Sequence, residues 1–323
     1  MRSIRILAIA IAVAAFMFAV PVDAADLKPS VGLLPERCDR QCLIALVDKY
    51  LQALLVNDPA LLPLSPNVKF TENGQVMKVG DGMWGTATKI GDYKHYVVDP
   101  TGGAVGFVGT VDESGQYAIL GLRMKIANRQ ITEIETLASR KDGPGDGDKL
   151  NLETLPPIWN ETVPPEQRVS REKMAEIANS YFAKIERGNG NYPTPFDSSC
   201  NRIENGTQTT NNEKLNPSFA GGCEEQIATG RYVFDTELRD RRFEVIDEEK
   251  GVVFAHVFFD HAGNVRTWKN LKTGEVKPVG KGVLRPSAWE INELFKIKNG
   301  RIYQIEAVLV AVPYKMRSHW EKN

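Results

Sequence analysis

The chain has 323 residues, with 40 Lys or Arg and 41 Asp or Glu, so its formal net charge at pH 7 is −1. This balance argues against a nucleic acid as partner, because nucleic-acid-binding domains concentrate basic residues on one face. Beyond the N-terminus no apolar run approaches the ~18 residues that indicate a membrane span, so no membrane partner is expected once the N-terminal segment is removed.

The N-terminal segment has the three parts of a secretory signal. Arg2 and Arg5 precede an apolar run over residues 6–20, and Val22, Asp23 and Ala24 resemble a cleavage site for signal peptidase. We predict a signal peptide over residues 1–24 and a secreted or periplasmic protein.

Along the first half of the mature chain, one segment of helical periodicity is followed by a turn and several strands. Apolar residues recur at helical spacing from Leu43 to Val56. Asn73 and Gly74 then form a dipeptide typical of a tight hairpin. Four strands are predicted after it, at residues 93–98, 105–111, 117–126 and 130–138.

A linker and a second copy of the same order follow. Residues 139–169 are rich in Gly and Pro and lack periodicity, which is typical of a linker. Ser170 is then expected to cap a helix that runs to Ile185. The hairpin and strands come next, with insertions at residues 207–222 and 268–284.

The two halves also repeat in sequence. Residues 122–135 return as residues 293–306, displaced by 171 positions, with Ile131 matching Ile302 and Glu135 matching Glu306. A repeat of this length indicates two whole domains rather than a solenoid. We place the domains at residues 25–138 and 170–323 and predict an α+β fold of two tandem cone-shaped half-barrels. Each is an N-terminal helix against a curved, mostly antiparallel sheet. Packing of sheet on sheet as an internal pseudo-dimer would allow the chain to be monomeric.

The segment Lys296–Glu306 carries a family resemblance. It reads K-I-x-x-G-x-I-x-x-I-E and resembles the late strand pair of SnoaL-type members of the nuclear-transport-factor-2-like superfamily; the first half departs from this pattern at Arg129. The resemblance implies a cone-shaped fold with a pocket between helix and sheet. Members include cofactor-free lyases, dehydratases and isomerases, and also pure binding proteins, so fold alone does not give function.

Four cysteines, an even number, suit an oxidising compartment. We favour the local pairs Cys38–Cys42 and Cys200–Cys223, with cross-links between the halves as the alternative. Their spacing is not that of a zinc finger or ribbon, and no metal site and no cofactor are expected.

Polar residues on apolar strands are the candidate catalytic groups. His256 and Asp260 lie on one face of the strand at residues 252–260, because side chains alternate with a period of two. Glu293 shares a face with Trp289, and its counterpart in the first half is Leu122. Among apolar residues its pKa would rise. We predict that His256 is the general base and that Glu293 or Asp260 is its partner. The alternatives are a core histidine, a turn aspartate and a solvent-exposed glutamate.

Other polar and aromatic residues are candidate substrate-binding groups, with turn chemistry, surface ion pairs or structural packing as the alternative for each. They are Arg202, Glu204, Asn205, Gln208, Arg242, Trp289, Tyr93 and His95.

Two hypotheses for function follow. The first is an exported, cofactor-independent enzyme of the lyase, dehydratase or isomerase type, acting by acid–base chemistry on a small, partly apolar molecule, aromatic compounds included. The alternative is a non-catalytic binding module of the periplasm or secretome that uses the same pocket.

Overall fold

The computed structural model describes residues 32–140, 152, 154–188 and 192–320. The predicted signal peptide therefore lies outside the described residues, as does most of residues 141–153. Within the described ranges, no helix is long and apolar enough to cross a bilayer.

Each half is one helix on a curved six-stranded sheet. In the first half these are α1 (Arg40–Leu55), β1 (Leu64–Glu72), β2 (Gln75–Met77), β3 (Ala87–Asp99), β4 (Ala104–Glu113), β5 (Gln116–Ala127) and β6 (Gln130–Arg140). In the second they are α2 (Arg171–Glu186), β7 (Phe196–Glu204), β8 (Thr207–Gln208), β9 (Glu237–Asp247), β10 (Val252–His261), β13 (Ser287–Lys298) and β14 (Arg301–Val312). The second half adds the short helix α3 (Cys223–Ile227) and a hairpin of β11 (Thr267–Lys269) and β12 (Val276–Pro278). The predicted tandem α+β organisation is confirmed. Strand β6 extends two residues into the predicted linker, because Ser139 and Arg140 still pair with β5.

The strand order is the same in both sheets. The first runs β2-β1-β6-β5-β4-β3 and the second β8-β7-β14-β13-β10-β9. Among the strand pairs of these two sheets in the described residues, only β1–β6 and β7–β14 are parallel. Both hairpin turns have Asn and Gly at positive φ, at Asn73-Gly74 and Asn205-Gly206, as the tight turn requires.

The helices begin at side-chain caps and cover the concave side of each sheet. Asp39 accepts a hydrogen bond from the Cys42 backbone N–H at the start of α1, and Ser170 accepts one from the Lys173 N–H at the start of α2. The apolar stripe of each helix packs on its own sheet, so each half has its own core. The disulfides Cys38–Cys42 and Cys200–Cys223 are formed, as predicted.

The outer faces of the two sheets pack on each other through a third apolar core. Equivalent positions meet there. A Cβ placed on Gly106 would lie 2.6 Å from Cδ2 of Phe254, and one on Gly121 would lie 2.6 Å from Nδ2 of Asn292. Because strand pairing makes Phe254 the counterpart of Gly106 and Asn292 that of Gly121, a pseudo-two-fold axis passes through this contact. The predicted packing of sheet on sheet is confirmed.

Candidate functional site

We call the concave side of each sheet, with the helix that covers it, the cone of that domain. The cone of the second domain holds a buried carboxyl group. Glu293 in β13 is 2% exposed. Its partners on the neighbouring strands are Ala255 and Ala307, both small. At the equivalent positions of the first half, Leu122 lies between Phe107 and Thr136. The second half has thus replaced two bulky apolar side chains with a carboxyl group and a methyl group.

Burial raises the pKa of Glu293 to about 8, and the charge of Glu204 adds to the rise, while Arg202 and a hydrogen bond with Tyr181 oppose it. Tyr181 comes from α2 and is 2% exposed. At neutral pH Glu293 is therefore mainly protonated and can donate a proton or a hydrogen bond.

Arg202 in β7 is the buried cation beside Glu293. Its Nε lies 2.9 Å from Glu204 Oε1, and its Nη2 donates to Gln226 Oε1 at 3.0 Å and to the Tyr232 hydroxyl. Its Nη1 has no hydrogen-bond partner among the described residues. One guanidinium N–H group of this buried cation is thus left for another acceptor.

His261 and Asp235 form a second polar pair on the same side of the sheet. His261 Nε2 lies 2.8 Å from Asp235 Oδ1, and the imidazole packs 4.5 Å from the Trp289 ring. Burial raises the pKa of Asp235, and the hydrogen bond with His261 opposes the rise. Sequence reasoning missed this pair. The sequence signal for the pair was that His261 falls on the same strand face as the core residues Val257 and Phe259.

An open groove adjoins this cluster. It has a volume of about 740 Å³ and is built largely from the two insertions of the second half. Phe234 and Trp268 supply aromatic surface, and Arg231 and Lys272 supply positive charge. Its wall includes Gln226, which is hydrogen-bonded to Arg202; Phe234 packs 6.0 Å from His261.

The prediction that His256 and Glu293 form an acid–base pair is wrong. In the β10–β13 register His256 lies opposite Asn292, whereas Glu293 lies opposite Ala255. Their side chains therefore point to opposite faces of the sheet. His256 faces the first domain, where its Nδ1 lies 2.9 Å from Asn292 Oδ1 and 3.3 Å from Glu135 Oε1.

Asp260 also lies on the outer face, where it is an ion-pair residue rather than a partner of Glu293. Arg239 Nε lies 2.8 Å from Asp260 Oδ2, and Lys315 lies 3.3 Å from the same oxygen. Burial raises the pKa of Asp260, but the hydrogen bond and charge of Arg239 outweigh it and hold the pKa below its usual value. The carboxylate is thus held ionised in a contact away from the cone.

Three predicted binding residues, in the β7–β8 hairpin and the edge strand β9, also hold the structure together. Asn205 donates to the Leu309 carbonyl and accepts from its N–H, both at 2.9 Å. Gln208 donates to the Thr210 carbonyl. Arg242 pairs with Glu135 across the two halves instead of lying on a solvated surface.

Tyr93 and His95 share one face, as predicted, but that face is the domain interface. The Tyr93 hydroxyl donates to Glu306 Oε1 and His95 Nδ1 lies against Glu306 Oε2, both at 2.8 Å. Glu135 and Glu306, which the duplication relates, each reach across to a histidine of the other half. Of the predicted site residues, the structure groups Glu293, Arg202, Glu204 and Trp289 on the concave side of the second sheet.

Comparison with known proteins places both halves in one family. A family described as "Domain of unknown function (DUF8021)" matches residues 36–138 and 167–309. A comparison with proteins of curated function finds no match.

Solved structures give only distant similarities. A de novo designed protein with a curved β-sheet is 12% identical, over 44% of this chain and 88% of its own, with a TM-score of 0.27. A protein from Sphaerobacter thermophilus is 15% identical, over 30% and 95%, with a TM-score of 0.23. AclR from Streptomyces galilaeus is 14% identical, over 46% and 93%, with a TM-score of 0.26. Scores this low support no argument about this chain.

Proposed function

We propose, on the premise that this chain belongs to the DUF8021 family through both of its halves, that the cone of the second domain is an acid–base site. The protein would be an exported, cofactor-independent enzyme of the lyase, dehydratase or isomerase type. The observation that carries the proposal is Glu293, a buried carboxyl group with its pKa raised to about 8. The resemblance of Lys296–Glu306 to SnoaL-type proteins gives the same expectation, and two disulfides suit an oxidising compartment.

Each polar group of the cone has a role in this proposal. A carboxyl group whose pKa lies near ambient pH is suited to give up and take back a proton during catalysis. Arg202 would stabilise negative charge that develops on a substrate oxygen, using the Nη1 that has no partner among the described residues. Tyr181 would hold the Glu293 carboxyl in position through their hydrogen bond.

The groove supports a small, partly apolar substrate with an aromatic portion. Phe234 and Trp268 offer ring surfaces, while Pro278 and Val279 add apolar wall. Glu293 itself is 2% exposed. A substrate group would reach it by displacing Gln226, whose side chain lines the groove and bonds Arg202.

The test begins with a thermal-shift screen of the mature protein, residues 25–323, against aromatic, polyketide-like and sugar-acid compounds. Binders are then incubated in D₂O, and loss of C–H signals or conversion is followed by proton NMR. We expect wild-type protein to exchange a ligand proton. Glu293→Gln should keep binding and slow exchange by about 100-fold or more.

Glu306→Gln is the matched control, because Glu306 is equally buried in the same sheet but faces the domain interface. Its exchange rate should stay near wild type. Equal exchange in wild type and Glu293→Gln would remove Glu293 from the mechanism. Binding without exchange or turnover in wild-type protein would instead support the binding module, which would use the same groove.

A further inference from the structure

A polar cluster lies buried between the two outer sheet faces, away from the cone. One ligand atom each from Glu135, His256 and Glu290 lies within 4.8 Å of the others, and all three residues are buried. His256 Nε2 is 3.3 Å from Glu290 Oε1. Glu135 belongs to the first domain and the other two residues to the second, so the cluster spans the interface.

The charge of the Glu290 carboxylate is balanced less well by its neighbours than the charge of any other residue in the cluster. It is 2% exposed, its only ion-pair partner among the described residues is His256, and its Oε2 has no hydrogen-bond partner among them. A carboxylate removed from water in this way is costly unless a cation lies beside it. Glu290 therefore needs either a positive charge next to its carboxylate or a proton on it.

The orientation of His256 leaves one ring nitrogen available to such a cation. Its Nδ1 lies 2.9 Å from Asn292 Oδ1, which can only accept, so Nδ1 carries a hydrogen. In the neutral ring the lone pair of Nε2 then faces the Glu290 carboxylate, and Nε2 has no hydrogen-bond partner among the described residues. Two acceptors that face each other need a proton or a metal cation between them.

The guanidinium groups of the cluster do not neutralise Glu290. The cluster has two of them, on Arg123 and Arg242, and four carboxyl groups, on Glu133, Glu135, Glu244 and Glu290. The two arginines pair with Glu133, Glu135 and Glu244, so neither one pairs with Glu290.

From these contacts we infer that Glu135, His256 and Glu290 bind one divalent transition-metal ion that links the two domains. One imidazole and two carboxylates suit Zn²⁺, Mn²⁺ or Co²⁺ better than Ca²⁺ or Mg²⁺, which prefer oxygen ligands alone. The hydrogen bond from Nδ1–H to Asn292 would hold the ring with Nε2 toward the ion, as residues outside the ligand set commonly do. The role is structural, because the cluster is buried at the interface.

The test measures metal binding directly on tag-free mature protein. Chelator-treated protein is titrated with ZnCl₂, MnCl₂ and CoCl₂ by calorimetry, and its melting temperature is recorded with and without each ion. We expect one ion per chain and a rise of about 5 °C or more when the metal is well above its Kd. Co²⁺-loaded protein should show ligand-field absorption, and X-ray absorption should report one nitrogen neighbour among oxygens.

Glu290→Gln should lower metal affinity by more than the roughly 10- to 100-fold that loss of a supporting contact outside the ligand set costs. His95→Gln and Glu306→Gln are the matched controls, since they alter the other histidine–glutamate contact across the same interface, at 2.8 Å. Both should bind metal like wild type.

Failure of all three ions to bind at one per chain, or equal affinity in Glu290→Gln, would overturn the proposal and leave a proton between His256 and Glu290 in place of the metal. Should Glu290→Gln not fold, the nitrogen count from X-ray absorption of wild-type protein still decides, because a site without His256 would show oxygen neighbours alone.

Discussion

The two cones share a backbone and differ in what fills them. Below the first sheet, Phe70, Phe107 and Leu122 pack against α1, and the Trp84 indole donates to the Tyr50 hydroxyl at 3.2 Å. Strand pairing makes Arg202, Ala255 and Glu293 their counterparts in the second half. The exchange puts a buried guanidinium group and a buried carboxyl group where the first half has Phe70 and Leu122. Since such groups cost stability, their presence at these core positions of the second half is why we place the proposed chemistry there.

The outer faces have diverged in a complementary way. Gly106 meets Phe254 and Gly121 meets Asn292, and in each pair the two residues are equivalent positions of the duplication. In a symmetric dimer each position on the axis would meet itself. Here each pair combines a glycine with a larger residue, so the two faces fit each other but neither would fit a copy of itself.

The largest effect on stability is expected from placing a carboxyl group in the first cone, at the position equivalent to Glu293. Leu122→Glu would bury a charge in a position without the arginine that the second half supplies. We expect a loss of roughly 4 kcal/mol in the free energy of unfolding, measured by urea denaturation at pH 7. Leu122→Met, similar in volume, should cost less than about 1.5 kcal/mol. A small loss in Leu122→Glu would show that the first cone can hold a carboxyl group without that arginine.

The second cone should make stability depend on pH. The folded-state pKa of Glu293 is raised from 4.5 to about 8, so the folded state holds a proton that the unfolded state releases. Its contribution is fully present below pH 4.5 and is lost as pH rises through about 8, at about 1.4 kcal/mol per pH unit. Asp235, whose pKa is also raised, acts in the same direction. Urea denaturation of Glu293→Gln between pH 5 and 8 should show a flatter slope than wild type, and an unchanged slope would contradict the assignment.

Adding even a methyl group where the two outer sheet faces meet should lower the free energy of unfolding. In Gly106→Ala the new methyl group would lie 2.6 Å from the Phe254 ring, so the two sheets must separate or the ring must move. We expect a loss of about 1–3 kcal/mol. Gly85→Ala, where no atom lies within 4 Å of the added Cβ, is the control and should be near neutral. If Phe254→Leu restores the stability of Gly106→Ala, the ring contact is the cause.

The smallest effect concerns the helix starts, where the halves use different caps for the same purpose. Ser170→Ala removes the hydrogen bond to the Lys173 N–H and should cost about 1 kcal/mol. Ser170→Asp should retain the cap, as Asp39 does in the first half. Thermal unfolding of the two variants measures the difference, and an equal loss in both would mean that the cap hydrogen bond contributes nothing.

Much of the fold could be predicted because its signals are local or repeated. The two helices, the two Asn-Gly turns and the strands follow from periodicity and turn chemistry within a few residues. The disulfides join cysteines that are 4 and 23 residues apart, which favoured local pairs. The internal sequence repeat indicated that there are two domains. The candidate site was predicted only in part: Glu293 and Arg202 lie together, whereas His256 and Asp260 lie on the opposite face of the sheet.

The sequence by itself determined the duplication, the order of elements and, within each strand, which side chains share a face. His256 does lie with Phe258, and Glu293 does lie with Ile291, because alternation is a property of one strand. Only the tertiary structure decided which face of β10 adjoins which face of β13. Register is set by pairing between distant segments, and a shift of one residue exchanges the two faces. That choice placed His261 in the cone with Glu293 and placed His256 between the two domains.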